Sequence, residues 1–318
     1  MGFFTRAWLL DSMSGIITLS MEIELGWGNH DTGELGRLSP DGQTERKYLS
    51  ELLATTEKNQ IPFSFDVVGH LFLEECDGNH DSPHRNDWFQ ADPGTDFRAD
   101  GLFYAPDAIA NIKSESVDHE ICTHTFSHAL FGEITRETCV WELERIQELH
   151  REHVGDTTSS LVPPRHQSPP YDVLVENGIE VLRPPMSKSA PTKAHRFKEL
   201  LIGPLPLSDL KRNDVVETYC TTNPSLTAAA LPSGQGATHP VFRYLPVSLR
   251  QRYHLKKLKH ATETAVENES HLHLWCHLFD ISNQYQFEVV QEYLDWLKSF
   301  RENHDVTIAP MEDLPNYV

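Results

Sequence analysis

Basic residues are scarce in this chain: 27 Lys and Arg stand against 47 Asp and Glu in 318 residues, a formal net charge of −20. Phosphate backbones are repelled by a field of that sign, so nucleic-acid binding through a basic surface is excluded. Cysteine is sparse as well. Its five copies, Cys76, Cys122, Cys139, Cys220 and Cys276, are odd in number, irregularly spaced and without a CxxC pair. This excludes a disulfide framework, gives no support to a cysteine-type zinc site, and fits reduced buried thiols in an intracellular protein. No apolar run approaches the length of a membrane span. Phosphate loops of the GxGxxG or GxxxxGKS/T kind are missing, as is the GxSxG elbow of the α/β serine hydrolases.

The segment Met1–Leu10 holds one basic residue, and Asp11 cuts off its short apolar patch with no small-residue cleavage site after it. No secretory signal is expected, and a cytoplasmic location follows as the expectation. Residues 1–14 read as an N-terminal extension ahead of one domain spanning 15–318. The acidic surplus has two readings, a solvated cytosolic surface or adaptation to high salt, where self-repulsion is screened.

What is present is enough for a full core: 39% of the residues are hydrophobic, and the length suits one large α/β domain. Ile16–Leu25 reads as a strand broken by Gly26 and Gly28. Glu45–Gln60 follows as an amphipathic helix, then Ile61–Val68 as a second strand. Residues 74–100 are a long polar loop, a kind that is often functional. Helix Pro106–Lys113, strand His119–Thr123, helix Thr135–His153, strand Leu161–Pro164, helix Tyr171–Asn177 and strand Ile179–Leu182 continue the alternation. Residues 184–245 hold no persistent period. Helix Leu249–Asn268, strand His271–Leu278, helix Phe287–Asn303 and strand Val306–Pro310 close the chain. Strand–helix alternation of this kind marks an α/β layer or barrel.

Four constellations carry chemistry. Glu22 and Glu24 share one face at the C-terminal end of the first strand, a placement that suits one metal ligand and one base, or else a solvated edge. His124 and His128 follow the third strand, and an i, i+4 pair on one helical turn can point both rings at one ion. With 18 His, chance should supply about one such pair. His80/His84 and His273/His277 have the same spacing, and Pro83 inside the former marks it as chance or as a rim feature. In the stretch His271–Leu278, strand alternation puts His271, His273, Trp275 and His277 on one face. That face is either an exposed edge or a cleft wall with a His acid/base and an aromatic sugar platform. Arg165, after Pro163-Pro164, could orient a carboxylate through a bidentate pair, or form a surface salt bridge. Asp66 in the second strand is a candidate for the barrel interior.

Taken together and in this order, from Gly15 to about Pro310, these segments resemble the polysaccharide deacetylase family, the hydrolases with the NodB-homology domain. The strongest element is His119-Glu120-Ile121-Cys122-Thr123-His124-Thr125-Phe126-Ser127-His128, which looks like the family's metal-binding histidine motif with its preceding strand. The early acidic strand, the Pro164-Arg165 segment leading to Gly178 and Arg183, and the late His-Leu-Trp-x-His stretch are also similar. The combination most resembles a branch tied to cell-surface glycan synthesis. The resemblance implies an α/β fold, a distorted (β/α) barrel usually of seven strands, with 15–318 as the catalytic domain. It implies one divalent metal, often zinc, held by Glu24, His124 and His128. Glu22 would be the catalytic base, Arg165 would orient it, and His277 would be the general acid with His273 as competitor for that role. The substrate implied is an N-acetylated sugar or glycan. Two departures stand out: Glu fills both acidic positions where the family usually has Asp, and Leu278 stands where a proline often follows the final His. The alternatives are the same fold acting on another small C–N substrate, or a carbohydrate-binding barrel without catalysis.

Overall fold

The computed structural model describes residues 15–85, 87–185, 210–238 and 240–318. The expected extension 1–14 lies outside the described residues.

Among the described residues, nine strands form one sheet. β1 (Gly15–Ile23), β2 (Ser64–Val67), β3 (Glu120–Thr123), β4 (Ser160–Leu161), β5 (Val181–Leu182), β6 (Lys211–Arg212), β7 (Val216–Glu217), β8 (His271–His277) and β9 (Val306–Ile308) follow in chain order. The path β7-β5-β4-β3-β2-β1-β8 is seven parallel strands curled into a partial barrel. β9 pairs with the start of β1, and β6 runs antiparallel on β7. Helices α1 (Gln43–Asn59), α2 (Pro106–Ser114), α3 (Arg136–His153), α4 (Tyr171–Glu176), α5 (Val247–Glu267), α6 (Leu278–Ile281) and α7 (Gln284–Arg301) are the described α-helices, with short 3₁₀ turns between elements. The sequence reading had found each of these strands and α-helices except the two-residue strands β6 and β7 and the single turn α6. None of the described helices is long and apolar enough to cross a membrane.

β1 explains the architecture. All nine of its residues are buried, as a strand pairing on both sides inside an α/β fold requires. Its odd-numbered apolar residues Ile17, Leu19, Met21 and Ile23 join the main hydrophobic cluster with Leu49, Leu52, Tyr293 and Leu297 of the flanking helices. Its even-numbered residues Thr18, Ser20 and Glu22 are buried on the opposite face, and Glu24, just past its end, is buried too. β8 repeats the division in register: Leu272, Leu274 and Cys276 join the apolar layer, while His271 and His273 meet Thr18 and Ser20. The barrel interior is therefore polar from Thr18 to Glu22, above an apolar cluster of Ile16, Val181, Val216 and Met311, and the face of β8 is a cleft wall.

The sheet does not close by strand pairing among the described residues. Instead, the segment 220–226 bridges the seam. Cys220 N–H donates to the Pro184 carbonyl at 3.1 Å, and the N–H groups of Ser225 and Leu226 donate to the Trp275 carbonyl at 2.9 and 3.0 Å. Buried backbone groups along the open edge thus find partners.

Candidate metal centre and active site

Glu22 and Glu24 emerge where β1 ends and a 3₁₀ turn, Leu25–Asn29, begins. Gly28 lies in that turn, and a Cβ there would stand 2.9 Å from Cδ of Glu24. The Glu24 carboxylate occupies the space a side chain would fill. Across from it, His124 and His128 follow β3. The two histidines do not share a helical turn, as their spacing had suggested. The segment is a loop in which Thr125 (φ 65°) and His128 (φ 60°) are left-handed, a conformation costly for a β-branched residue and commonest at functional sites. Hydrogen bonds hold it there: Thr125 N–H donates to Thr123 Oγ1 at 3.0 Å, and Ala129 N–H donates to Thr125 Oγ1 at 2.9 Å.

The loop delivers both rings to one carboxylate oxygen. His124 Nε2 and His128 Nε2 each lie 3.1 Å from Glu24 Oε1. His124 Nδ1 donates to the Val162 carbonyl at 2.8 Å. A neutral imidazole has one N–H, so this bond turns a lone pair, not a proton, toward Glu24. A cation among the three groups resolves that conflict. Their donor atoms all lie within 4.8 Å of one another, and a two-His, one-carboxylate set is the donor chemistry of open zinc sites. The residues fit such an ion.

Glu22 faces the same space. Its Oε1 meets Nη2 of Arg183, and its Oε2 lies 3.2 Å from His277 Nε2. Burial works to raise its pKa, but Arg183 foremost, then His277, outweighs burial and holds it well below the ordinary carboxylate range. Arg183 is fully buried. Its Nη1 donates to Ser20 Oγ at 2.8 Å and lies 3.5 Å from Asp66 Oδ2, and Trp275 stacks over the guanidinium at 4.7 Å. Burial pushes Asp66 up to about 6. Across the pocket, His277 Nδ1 lies 2.7 Å from Asp280 Oδ2.

Three expectations change. Arg165 does not reach Glu22; it pairs with Asp31 at 2.6 Å on the rim of the pocket. Arg183, which follows β5 at its C-terminal end, takes that place. His273 is deep in the barrel, with Thr18 Oγ1 2.8 Å from Nδ1 and Ser20 Oγ 3.2 Å from Nε2, so His277 alone of the two reaches Glu22. Trp275 is not an open platform: it is 2% exposed, and its Nε1 donates to the Thr221 carbonyl at 3.2 Å. Asp280 had no signal in the sequence beyond standing three residues after a histidine. Glu22, Glu24, His128, His277, Gly28 and Phe279 line a pocket of about 240 Å³.

Residues 39–182 match the family model described as polysaccharide deacetylase. Over that segment, the chain is similar to the polysaccharide deacetylases. The matched segment contains the histidine pair, while Glu22, Glu24 and His277 are brought to it from outside by β1 and β8. Among solved structures, one from Mycobacterium smegmatis classed with the polysaccharide deacetylases aligns with 13% identity and a TM-score of 0.60, covering 98% of this chain and 92% of that one. Another, from Pseudomonas aeruginosa PAO1 and classed likewise, gives 12% identity and 0.55, covering 96% and 91%. A Puue allantoinase gives 12% identity and 0.57, covering 96% and 91%. At these identities the likeness is one of fold. No curated protein matches the sequence.

Proposed function

We propose that this protein is a polysaccharide-deacetylase-type enzyme that removes the acetyl group from an N-acetylated sugar by metal-assisted hydrolysis. The observation that supports this reading best is the convergence on one pocket of Glu24, His124 and His128 with a separately held carboxylate, Glu22, and a histidine, His277. Glu24, His124 and His128 would hold one divalent ion, zinc by donor type. When bound, such an ion supplies Lewis acidity toward a carbonyl oxygen and lowers the pKa of water.

The chain's own residues do the rest. Arg183 keeps Glu22 ionised, so Glu22 is fit to take a proton from the attacking water. Ser20, Asp66 and Trp275 keep the guanidinium from swinging away. Burial acts to lower the pKa of His277, but Glu22 and Asp280 hold it well above its usual value, so its Nε2 carries a proton to give to the departing amine. At about 240 Å³, the pocket lies below the ~300–1,000 Å³ of sites that engulf drug-sized ligands. It suits an acetamido group and the ring that bears it.

The test is acetate release from a panel of free, nucleotide-linked and lipid-linked N-acetylated sugars by zinc-loaded protein. Cyclic amides and formamides join the panel to test the same fold acting on another small C–N substrate. Glu22→Gln should abolish turnover and leave metal content intact. Glycan binding with full metal occupancy and no turnover of any substrate would overturn the catalytic reading in favour of a binding barrel.

A further inference from the structure

A second cluster of metal-ligating side chains stands apart from this pocket. His70 lies in the 3₁₀ turn Gly69–Phe72 after β2, and Cys76, His80 and Asp92 come from the long polar segment that follows. Cys76 Sγ lies 3.6 Å from His70 Nε2, 3.9 Å from His80 Nε2 and 3.1 Å from Asp92 Oδ2. Asp92 Oδ2 is 3.1 Å from His70 Nε2 and 2.6 Å from His80 Nε2. All four donor atoms fall within 4.8 Å of one another. Four ligands at zinc bond lengths of ~2.0–2.3 Å in a tetrahedron would stand roughly 3.3–3.8 Å apart. The side chains of His70 and Asp92 are 0% exposed and that of His80 is 7%.

Hydrogen bonding alone accounts poorly for this cluster. His70 Nδ1 faces the Phe103 carbonyl at 3.1 Å, which accepts only, while Nε2 faces a carboxylate. A neutral ring has one proton for two acceptors, the same conflict as at His124. Moreover, two rings and a thiol converge on the single oxygen Oδ2. Around the cluster, the remaining polar groups are arranged as supports of metal ligands usually are. Tyr104 OH donates to Asp92 Oδ1 at 2.7 Å, Gly94 N–H donates to the same oxygen at 3.1 Å, and Gly78 N–H points at Cys76 Sγ at 3.4 Å.

We propose that His70, Cys76, His80 and Asp92 form a second, structural zinc-type site that fastens the polar loop to the end of β2. Four protein ligands leave no open position, which distinguishes it from the Glu24 centre. Binding releases the Cys76 thiol proton, and the ion takes the thiolate. The site also braces the first centre. The Trp27 ring lies 4.4 Å from that of His70, and its backbone N–H donates to the Glu24 carbonyl at 3.0 Å. His80, which looked like a chance member of an i, i+4 pair with His84, is a ligand in this reading. His84 pairs elsewhere, with Glu142 at 2.7 Å.

The experiment uses the full chain, stripped with a chelator and titrated with Co²⁺ alone. Two equivalents should bind, with a thiolate-to-cobalt charge-transfer absorption in the near ultraviolet. The Glu24 centre contains no sulfur, so that absorption reports the second site alone and should persist in Glu24→Ala. Cys76→Ser should lose the absorption and one equivalent, while Cys220→Ser keeps both. Should Cys76→Ser fail to fold, X-ray absorption of the zinc-loaded wild type decides, with a sulfur neighbour expected at ~2.3 Å. The proposal is overturned by a saturated wild type with no charge-transfer absorption, by an absorption that survives Cys76→Ser, or by zinc with no sulfur neighbour.

Discussion

Nδ1 of His277 lies 2.7 Å from Oδ2 of Asp280, and the backbone N–H of His277 donates to the same carboxylate oxygen at 3.3 Å. Strand β8 ends and helix α6 begins at that point, so one turn of chain supplies both the histidine and the group that aims it.

The pair sets a pH dependence. His277 must carry a proton to serve as an acid, so activity falls as pH rises through its pKa. Asp280→Asn removes one of the two charges that raise that pKa. The alkaline limb of kcat/KM should therefore move to lower pH. An unmoved limb would show that Asp280 does not act through His277.

The two arginines should separate cleanly. Arg183→Met strands Glu22 and Asp66 in the barrel interior and should cost ~3–5 kcal/mol of stability. Arg183→Lys keeps the charge but loses the planar fork, and turnover should drop by about 100-fold through misplacement of Glu22. Arg165→Ala, on the rim, should leave kcat within roughly threefold and shift Tm little. Thermal melting and steady-state kinetics on the three variants check this.

Gly28→Ala probes the metal centre without touching a ligand. Its Cβ would press on the Glu24 carboxylate. Metal affinity should fall by about 10–100-fold, the usual cost of disturbing a ligand's support, with Tm of the metal-free protein nearly unchanged. Zinc titration against a competing chelator reads the effect; unchanged affinity would mean that Glu24 does not need that space.

Glu120 predicts a stability effect away from the pocket. Burial first, and Glu312 after it, pushes its carboxyl up to about 8, against ~4.3 in an unfolded chain. Between these values the native state holds a proton that the unfolded state has lost. Stability from this group is complete below ~4.3 and declines as pH rises toward the folded value, by up to ~1.4 kcal/mol per pH unit. Ser64 Oγ donates to Glu120 at 2.5 Å, and Glu120→Gln keeps an acceptor for it. Tm measured from about pH 5 to pH 8 should decline less in Glu120→Gln than in the wild type; parallel curves would refute the assignment.

The alternation of β1 and β8 was legible because a period of two survives in the sequence, and it put Glu22, Glu24 and His277 on the correct faces. The histidine spacing was legible too, but its conformation was not. Only the left-handed backbone at Thr125 and His128 shows how a loop does what a helix was expected to do. Arg183 was passed over in favour of Arg165 because both follow short strands, and nothing local tells which side chain turns inward. β6 and β7, two residues each, are too short to carry any pattern. The His70 cluster was invisible for another reason: its ligands are irregularly spaced, and one cysteine among five gives no signature.

β1 pairs along its length with β8, at its end with β2 and at its start with β9. A slip of one residue against these neighbours would exchange Glu22 and Glu24 for Met21 and Ile23, driving both carboxylates into hydrocarbon. A misregistered chain could bury much the same surface and still present an inert pocket. Turnover is thus a more stringent reporter of correct assembly here than helical content or compactness, because chemistry survives only in one alignment of that strand.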